Sequence, residues 1–121
     1  MKTIAFINST ANKEFAEEMS CGEANGYVAV PPGHPLHGKD SVLLYDIDVH
    51  GGLTASAYMS SFMLMNDIEF ISDAEEIPSD WWVFGFDTIH FNDKYSWSKE
   101  RVKEETLRLQ DQLEAKAGRK K

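Results

Sequence analysis

The chain has 121 residues, 42% hydrophobic and 12% aromatic, and a formal net charge of −8. That is enough apolar material for the core of one domain, 1–121, and it excludes an intrinsically disordered chain. No apolar run approaches the ~20 residues of a membrane-spanning helix. The acidic balance also lacks the basic footprint of a nucleic-acid binder.

Residues 2–7 favour β-branched and aromatic types and predict a first strand. Residues 10–20 are helix-permissive, with Phe15, Ala16 and Met19 on one face and Thr10 as a cap. Asn25-Gly26 is a turn signal before a short strand, Tyr27 to Val30, which Pro31-Pro32 ends. Residues 31–41 predict a Pro/Gly loop. Residues 42–49 predict a strand that becomes strictly alternating along Asp46-Ile47-Asp48-Val49-His50. Gly51-Gly52 predicts a hairpin into Leu53–Ser60. The hydrophobic pattern favours a three-residue loop, which pairs His50 with Thr54 and Asp48 with Ser56.

Residues 61–72 predict a meander or short helix followed by a strand. Asp73–Asp80 is an acidic connection containing Pro78. Trp81-Trp82-Val83-Phe84-Gly85-Phe86 has no polar side and predicts a central strand buried on both faces. One long helix is predicted at about residues 98–117. Ser98 is its N-cap, Val102, Thr106, Leu109, Leu113 and Ala117 its apolar stripe, and Gly118 its end. The fold class is therefore α+β: a mostly antiparallel sheet with the C-terminal helix packed on one face.

Residues 98–121 hold eight basic and five acidic residues, +3, leaving 1–97 with four basic and fifteen acidic, −11. The lone Cys21 excludes an internal disulfide and fits a reducing, cytoplasmic setting, and the N-terminus has too short an apolar run for a signal peptide. Nucleophilic chemistry at Cys21 is not expected, since no histidine motif adjoins it.

All four histidines lie in turn-rich motifs. These are Pro31-Pro32-Gly33-His34-Pro35-Leu36-His37-Gly38, Val49-His50-Gly51-Gly52-Leu53-Thr54, and Phe86-Asp87-Thr88-Ile89-His90-Phe91-Asn92-Asp93. Asp87 follows six buried-type residues, so its carboxylate needs a partner. Convergence of Asp87, His90 and Asp93 requires a turn just after Asp87. One reading is a ligand site; the other is a structural Asp–His hydrogen bond closing a strand. His50-Gly51-Gly52-Leu53-Thr54 reads either as a backbone nest for an anion or as a hairpin whose glycines supply positive φ. His34 and His37 read either as ligand contacts or as incidental members of a rigid surface loop. Trp81, Trp82, Phe84 and Phe86 read as core, with one of them available as a stacking wall for a flat ligand.

Asn25-Gly26-Tyr27-Val28 through Pro32-Gly33-His34-Pro35-Leu36 to Gly38-Lys39-Asp40, the His50-Gly51-Gly52-Leu53-Thr54 motif, and Trp81-Trp82 with Gly85-Phe86-Asp87-Thr88, His90 and Asp93 together cover about a third of the chain. In this combination and order they resemble a family of small, largely uncharacterised proteins of bacteria and their phages. The resemblance implies a phage-type accessory protein but no defined activity. Several phage proteins of this size sequester nucleotide-derived immune signals, an analogy of class rather than motif.

The leading expectation is a non-enzymatic module binding a small polar, nucleotide-like ligand through His34, His50, Thr54, Asp87 and His90, with the Gly51 and Gly52 amides as anion donors. The body's −11 repels phosphate, so local charge must come from Lys39, protonated histidines or the basic helix of a partner subunit in a homo-oligomer. The alternative is a hydrolase using His50, Asp87 and His90, with Asp93 and those three as ligands if a divalent metal takes part. No other cofactor is expected. A third expectation is a module that binds a host protein through its acidic surface.

Overall fold

The structure, a computed structural model, describes residues 2–9, 24–41, 44, 46–62, 68–88 and 97–117. Five strands form one sheet: β1 (Ile4–Ser9), β2 (Ala24–Val30), β3 (Ala55–Tyr58), β4 (Ile68–Phe70) and β5 (Trp82–Phe86). Their order is β3-β5-β2-β1-β4, and each pairing is antiparallel. A short 3-10 turn, Met59–Phe62, follows β3. The helix α1 (Lys99–Lys116) packs across β1 and β2. The α+β architecture read from the pattern is the one the chain adopts.

Its logic starts with β5. Apolar on both faces, the strand must be covered twice, and it lies inside the sheet between β3 and β2. Phe84 and Phe86 face the helix and Val83 the opposite side, all at most 1% exposed. The helix side is built from Ala5, Ile7, Val28, Val30, Phe84 and Phe86 against Val102, Leu109 and Leu113. On the other side Phe6 stacks on Tyr27 at 5.2 Å, and Phe62 meets the Tyr27 ring edge-on.

Each face of α1 has its own task. Val102, Thr106, Leu109 and Leu113 form the buried stripe that the spacing predicts. Ser98 is the N-cap and accepts from the Arg101 N–H at 3.3 Å. Trp97 precedes the cap and joins the same apolar cluster as Val102, a hydrophobic staple at the helix entrance. Beside the buried stripe, Lys103 pairs with Glu69 of β4. On the other flank, Glu105, Arg108, Gln112 and Lys116 meet the segment 46–50.

That segment corrects the sequence reading. None of the described residues within 42–49 lies in a strand, and β3 pairs with β5 instead of with them. Leu44, Ile47 and Val49 are buried beside the helix, while Asp46 and Asp48 point to solvent. The Gln112 side chain fills the place of a neighbouring strand: its Oε1 accepts from the Asp48 N–H at 2.8 Å, and its Nε2 donates to the Asp48 carbonyl at 2.9 Å. Asp46 pairs with Lys116, and Asp48 with Arg108 at 3.1 Å. The segment is a strap laid antiparallel along α1.

Asn25-Gly26 is the second correction. Both residues lie inside β2, and Gly26 sits where α1 lies so near the sheet that a Cβ would overlap the Thr106 hydroxyl. The helix-permissive stretch 10–20 and Gly118 lie outside the described residues.

Candidate functional site

β2 and β5 run antiparallel, with Val30 opposite Trp82 and Gly26 opposite Phe86. The Pro/Gly loop therefore leaves the sheet at the Trp82 end, while Thr54 and Asp87 lie at the Phe86 end. The five residues of β5 separate these ends by about 13 Å. The described histidines are split accordingly, with His34 and His37 at one end and His50 at the other.

His34 consequently leaves the set of ligand contacts expected from sequence. It is 3% exposed, and both ring nitrogens are engaged within the protein. Nδ1 accepts from the Leu36 N–H at 3.0 Å, which makes Nε2 the protonated nitrogen, and Nε2 donates to the Leu113 carbonyl at 2.8 Å. Leu113 carries one of the last four carbonyls of α1, which have no partner within the helix. The loop is rigid enough to deliver this cap. Its N–H groups of His34, His37 and Lys39 each bond the carbonyl three residues back, making three successive β-turns. Gly33 at φ 102° and Gly38 at φ 84° occupy the positions in two of these turns that demand left-handed backbone.

Burial pushes the His34 pKa below its ordinary value of 6.5, against the hydrogen bond to Leu113, which favours the charged form. Protonating Nδ1 would also set two donors, Nδ1–H and Leu36 N–H, against each other. The unfolded chain thus binds the proton more readily, so stability is complete above about pH 6.5 and falls as the pH drops below it. Urea denaturation is expected to show stability falling from pH 7 to pH 5, with a shallower fall in His34→Gln. That variant should itself lose about 1–2 kcal/mol at pH 7. Equal pH slopes in the two proteins would refute the neutral cap.

At the other end, the Gly52 N–H donates to the Val49 carbonyl at 2.9 Å, closing a turn over His50 and Gly51. Gly51 and Gly52 take φ values of 69° and 81°, so their freedom at positive φ is required. The amides are largely committed. Gly52 closes the turn, His50 donates to Glu105 Oε2 at 2.8 Å, and Thr54 donates to the Gly85 carbonyl at 2.8 Å. The Gly52 amide is therefore not the anion donor expected from sequence.

The imidazole of His50 packs against the Trp97 indole at 4.3 Å between centroids. The Arg101 guanidinium lies over the same indole at 4.4 Å. Trp97 is only 7% exposed and meets Phe86 edge-on at 6.4 Å, which ties the group to the core. Beneath it, Arg108 bound to Glu105 at 2.9 Å holds the glutamate carboxyl below its usual range, with burial acting the other way.

Asp87 lies at this same end but on the opposite side of the sheet. It continues the alternation of Val83 and Gly85, and its charge acts on Tyr27, whose ring occupies the side away from α1. The Tyr27 hydroxyl is raised above its ordinary pKa, first by burial and then by Asp87, while Asn25 lowers it. Thr88 fixes the chain after Asp87 by donating from its N–H to Asn25 Oδ1 at 3.0 Å and from its hydroxyl to the Ala24 carbonyl at 2.7 Å. His90 and Asp93 lie outside the described residues, as does Cys21. Among the described residues no group of three or more His, Cys, Asp or Glu side chains could hold a metal.

The structure therefore gathers His50, Gly51, Gly52, Thr54 and Asp87 at one end of the sheet and assigns His34 elsewhere. Trp97 and Arg101 join them, and the motif reading missed both. The staple position of Trp97 before Ser98 was the available signal; Arg101 carried none beyond its place in the first helical turn. Of the aromatic residues considered as a stacking wall, Phe84 and Phe86 are fully buried, whereas Trp82 reaches the surface beside Tyr58. No helix among the described residues is long and apolar enough to cross a membrane. Comparison with protein-family models, curated proteins and solved structures finds no match.

Proposed function

We propose that this chain binds a small polar ligand at the rim formed by His50, Gly51, Thr54 and Arg101, with Asp87 bordering it from the other side of the sheet. One observation carries the reading: His50 and Arg101 are both packed on the nearly buried Trp97. Two planar, nitrogen-bearing groups are thus positioned by the protein's own packing, which lowers the ordering cost of binding. Arg101 supplies from the chain's own helix the local cation that the acidic body lacks. It sits in the first turn of an 18-residue helix, where the backbone field favours negative charge. These features suit a ligand with a phosphate or carboxylate. A nucleotide-derived signal, of the kind a phage accessory protein would sequester in the cytoplasm, is the class to test first. A hydrolase needs an imidazole and a carboxylate at one reacting atom. His50 and Asp87, on opposite sides of the sheet, do not form such a pair with each other.

The test is a thermal-shift screen of mononucleotides, cyclic nucleotides and cyclic dinucleotides, with and without EDTA. At a hundredfold excess over Kd, a bound ligand adds about 2.7 kcal/mol of stability. We expect that gain with at least one class, unaffected by EDTA, with the ligand recovered unchanged after denaturation. It should disappear in His50→Ala and in Arg101→Ala. A reaction product, undiminished stabilisation in both variants, or no response to any nucleotide would overturn the reading.

A further inference from the structure

The other end of the sheet carries a feature that this ligand site does not use. His37, Tyr58 and Trp82 form an aromatic corner where the Pro/Gly loop meets the outer strand β3. Tyr58 stands edge-on to Trp82 at 4.9 Å and to His37 at 5.6 Å, and His37 lies 6.2 Å from Trp82. Tyr58 is 45% exposed, one of two large hydrophobic residues so exposed among those described. The core explains Trp82 in part and Tyr58 not at all.

Backbone carbonyls fix the two nitrogen-bearing rings. Trp82 Nε1–H donates to the Lys39 carbonyl at 2.9 Å, and His37 Nε2–H donates to the Asp80 carbonyl at 2.8 Å. These two N–H groups are thereby engaged by the protein's own backbone, which leaves ring face, C–H edge and the Tyr58 hydroxyl as the corner's remaining contact groups. Ring faces carry negative potential and attract cations, guanidinium above all. The residues supplying those carbonyls flank the corner with charge. Asp80 is exposed, Asp40 follows Lys39 and is exposed, and Glu75 and Glu76 lie earlier in the connection that ends at Asp80. Lys39 is the only cation among 35–41, 56–60 and 73–82, which contain five carboxylates.

We infer that this corner is a docking surface for a basic protein segment that presents arginine. Tyrosine, tryptophan and arginine dominate the energetics of protein interfaces, and this corner supplies the first two already oriented. The acidic surround steers a basic partner toward it and disfavours an acidic one. A second copy of the chain would bring the same acidic corner and another net −8, so the charge complementarity points to a different, basic partner. The surface lies at the opposite end of β5 from the ligand rim and does not depend on it.

The test is calorimetric titration of the full chain with three soluble peptides of equal length, Arg-Gly, Lys-Gly and Glu-Gly repeats, at low and high salt. Binding of the arginine peptide is expected at low salt, several-fold tighter than the lysine peptide, with none for the glutamate peptide. Tyr58→Ala should weaken it at least tenfold and Asp80→Asn about threefold, since the Asp80 carbonyl that holds His37 is retained. Glu104→Gln, on the exposed back of α1, should leave it unchanged, as should Arg101→Ala in the ligand rim. Unfolding curves of each variant establish that the fold persists. Absence of arginine-peptide binding, an equal Kd in Tyr58→Ala, or an equal loss in Glu104→Gln would overturn the proposal. So would a concentration-dependent dimer abolished by Tyr58→Ala, which would make a second copy the occupant.

Discussion

Gly26→Ala is expected to destabilise the protein by about 3 kcal/mol, a fall in Tm of roughly 10 °C for a chain of this length. Backbone considerations alone predict the opposite sign. Alanine loses less entropy than glycine on entering a strand and should stabilise one by about 0.5–1 kcal/mol. The cost arises because a Cβ at Gly26 would overlap the Thr106 hydroxyl and the Phe86 ring, both fully buried. Neither neighbour has room to retreat. The Thr106 hydroxyl donates to the Val102 carbonyl at 2.7 Å within α1, and Phe86 is wedged under Trp97. A double-mutant cycle tests the mechanism. Thr106→Ala removes one of the two obstacles, so the pair Gly26→Ala/Thr106→Ala should cost at least about 1 kcal/mol less than the sum of the single changes. Additive costs would mean that the helix is not what Gly26 accommodates.

The same glycine shows where sequence reading reached and where it stopped. Asn25-Gly26 satisfies the local chemistry of a turn, yet the pair lies within β2. What meets it there is α1, from seventy-three residues further along the chain, which no local window contains. By contrast, α1 was legible almost to the residue, because its cap, its acidic first turn and its buried stripe are all local. The strand β5 was legible because six consecutive apolar residues admit few surroundings. The candidate site was legible in its motifs but not in its assembly. The turn glycines at 51 and 52 do take positive φ, yet His34 lies at the far end of the sheet. Strand direction decides that separation, and periodicity does not report it.

Segment 46–50 is the instructive failure. Alternation along Asp46-Ile47-Asp48-Val49-His50 correctly told which side chains are buried, but not what the backbone pairs with. Any extended segment with one dry and one wet side alternates, whether its neighbour is a strand or a helix. Here the neighbour is α1, and the information lay in a second stripe at helical spacing, Arg101, Glu105, Arg108, Gln112 and Lys116, beside the apolar one.

Beside the Gln112 and Glu105 hydrogen bonds to its backbone, ion pairs and apolar burial both act on that strap, and their magnitudes rank these two. The pairs of Asp46 with Lys116 and Asp48 with Arg108 are exposed, and such pairs contribute little in water and less in salt. Leu44, Ile47 and Val49 are each less than 10% exposed, and burying one such side chain is worth about 1.5–3 kcal/mol. The strap is therefore anchored by its apolar teeth, and the ion pairs dress its outer side. Ile47→Ala should cost about 2–4 kcal/mol in urea denaturation, through lost burial and the cavity left between strap and helix. Asp48→Ala should cost less than about 1 kcal/mol, and raising the salt from 0.05 to 0.5 M should remove most of that difference. Because the strap also carries His50, its loosening should reach the rim beyond. Ile47→Ala should weaken any ligand that depends on His50, even though Ile47 is an apolar side chain of the core cluster. If Asp48→Ala proves the costlier change, the ion pairs hold the strap, and its docking should then fail in high salt.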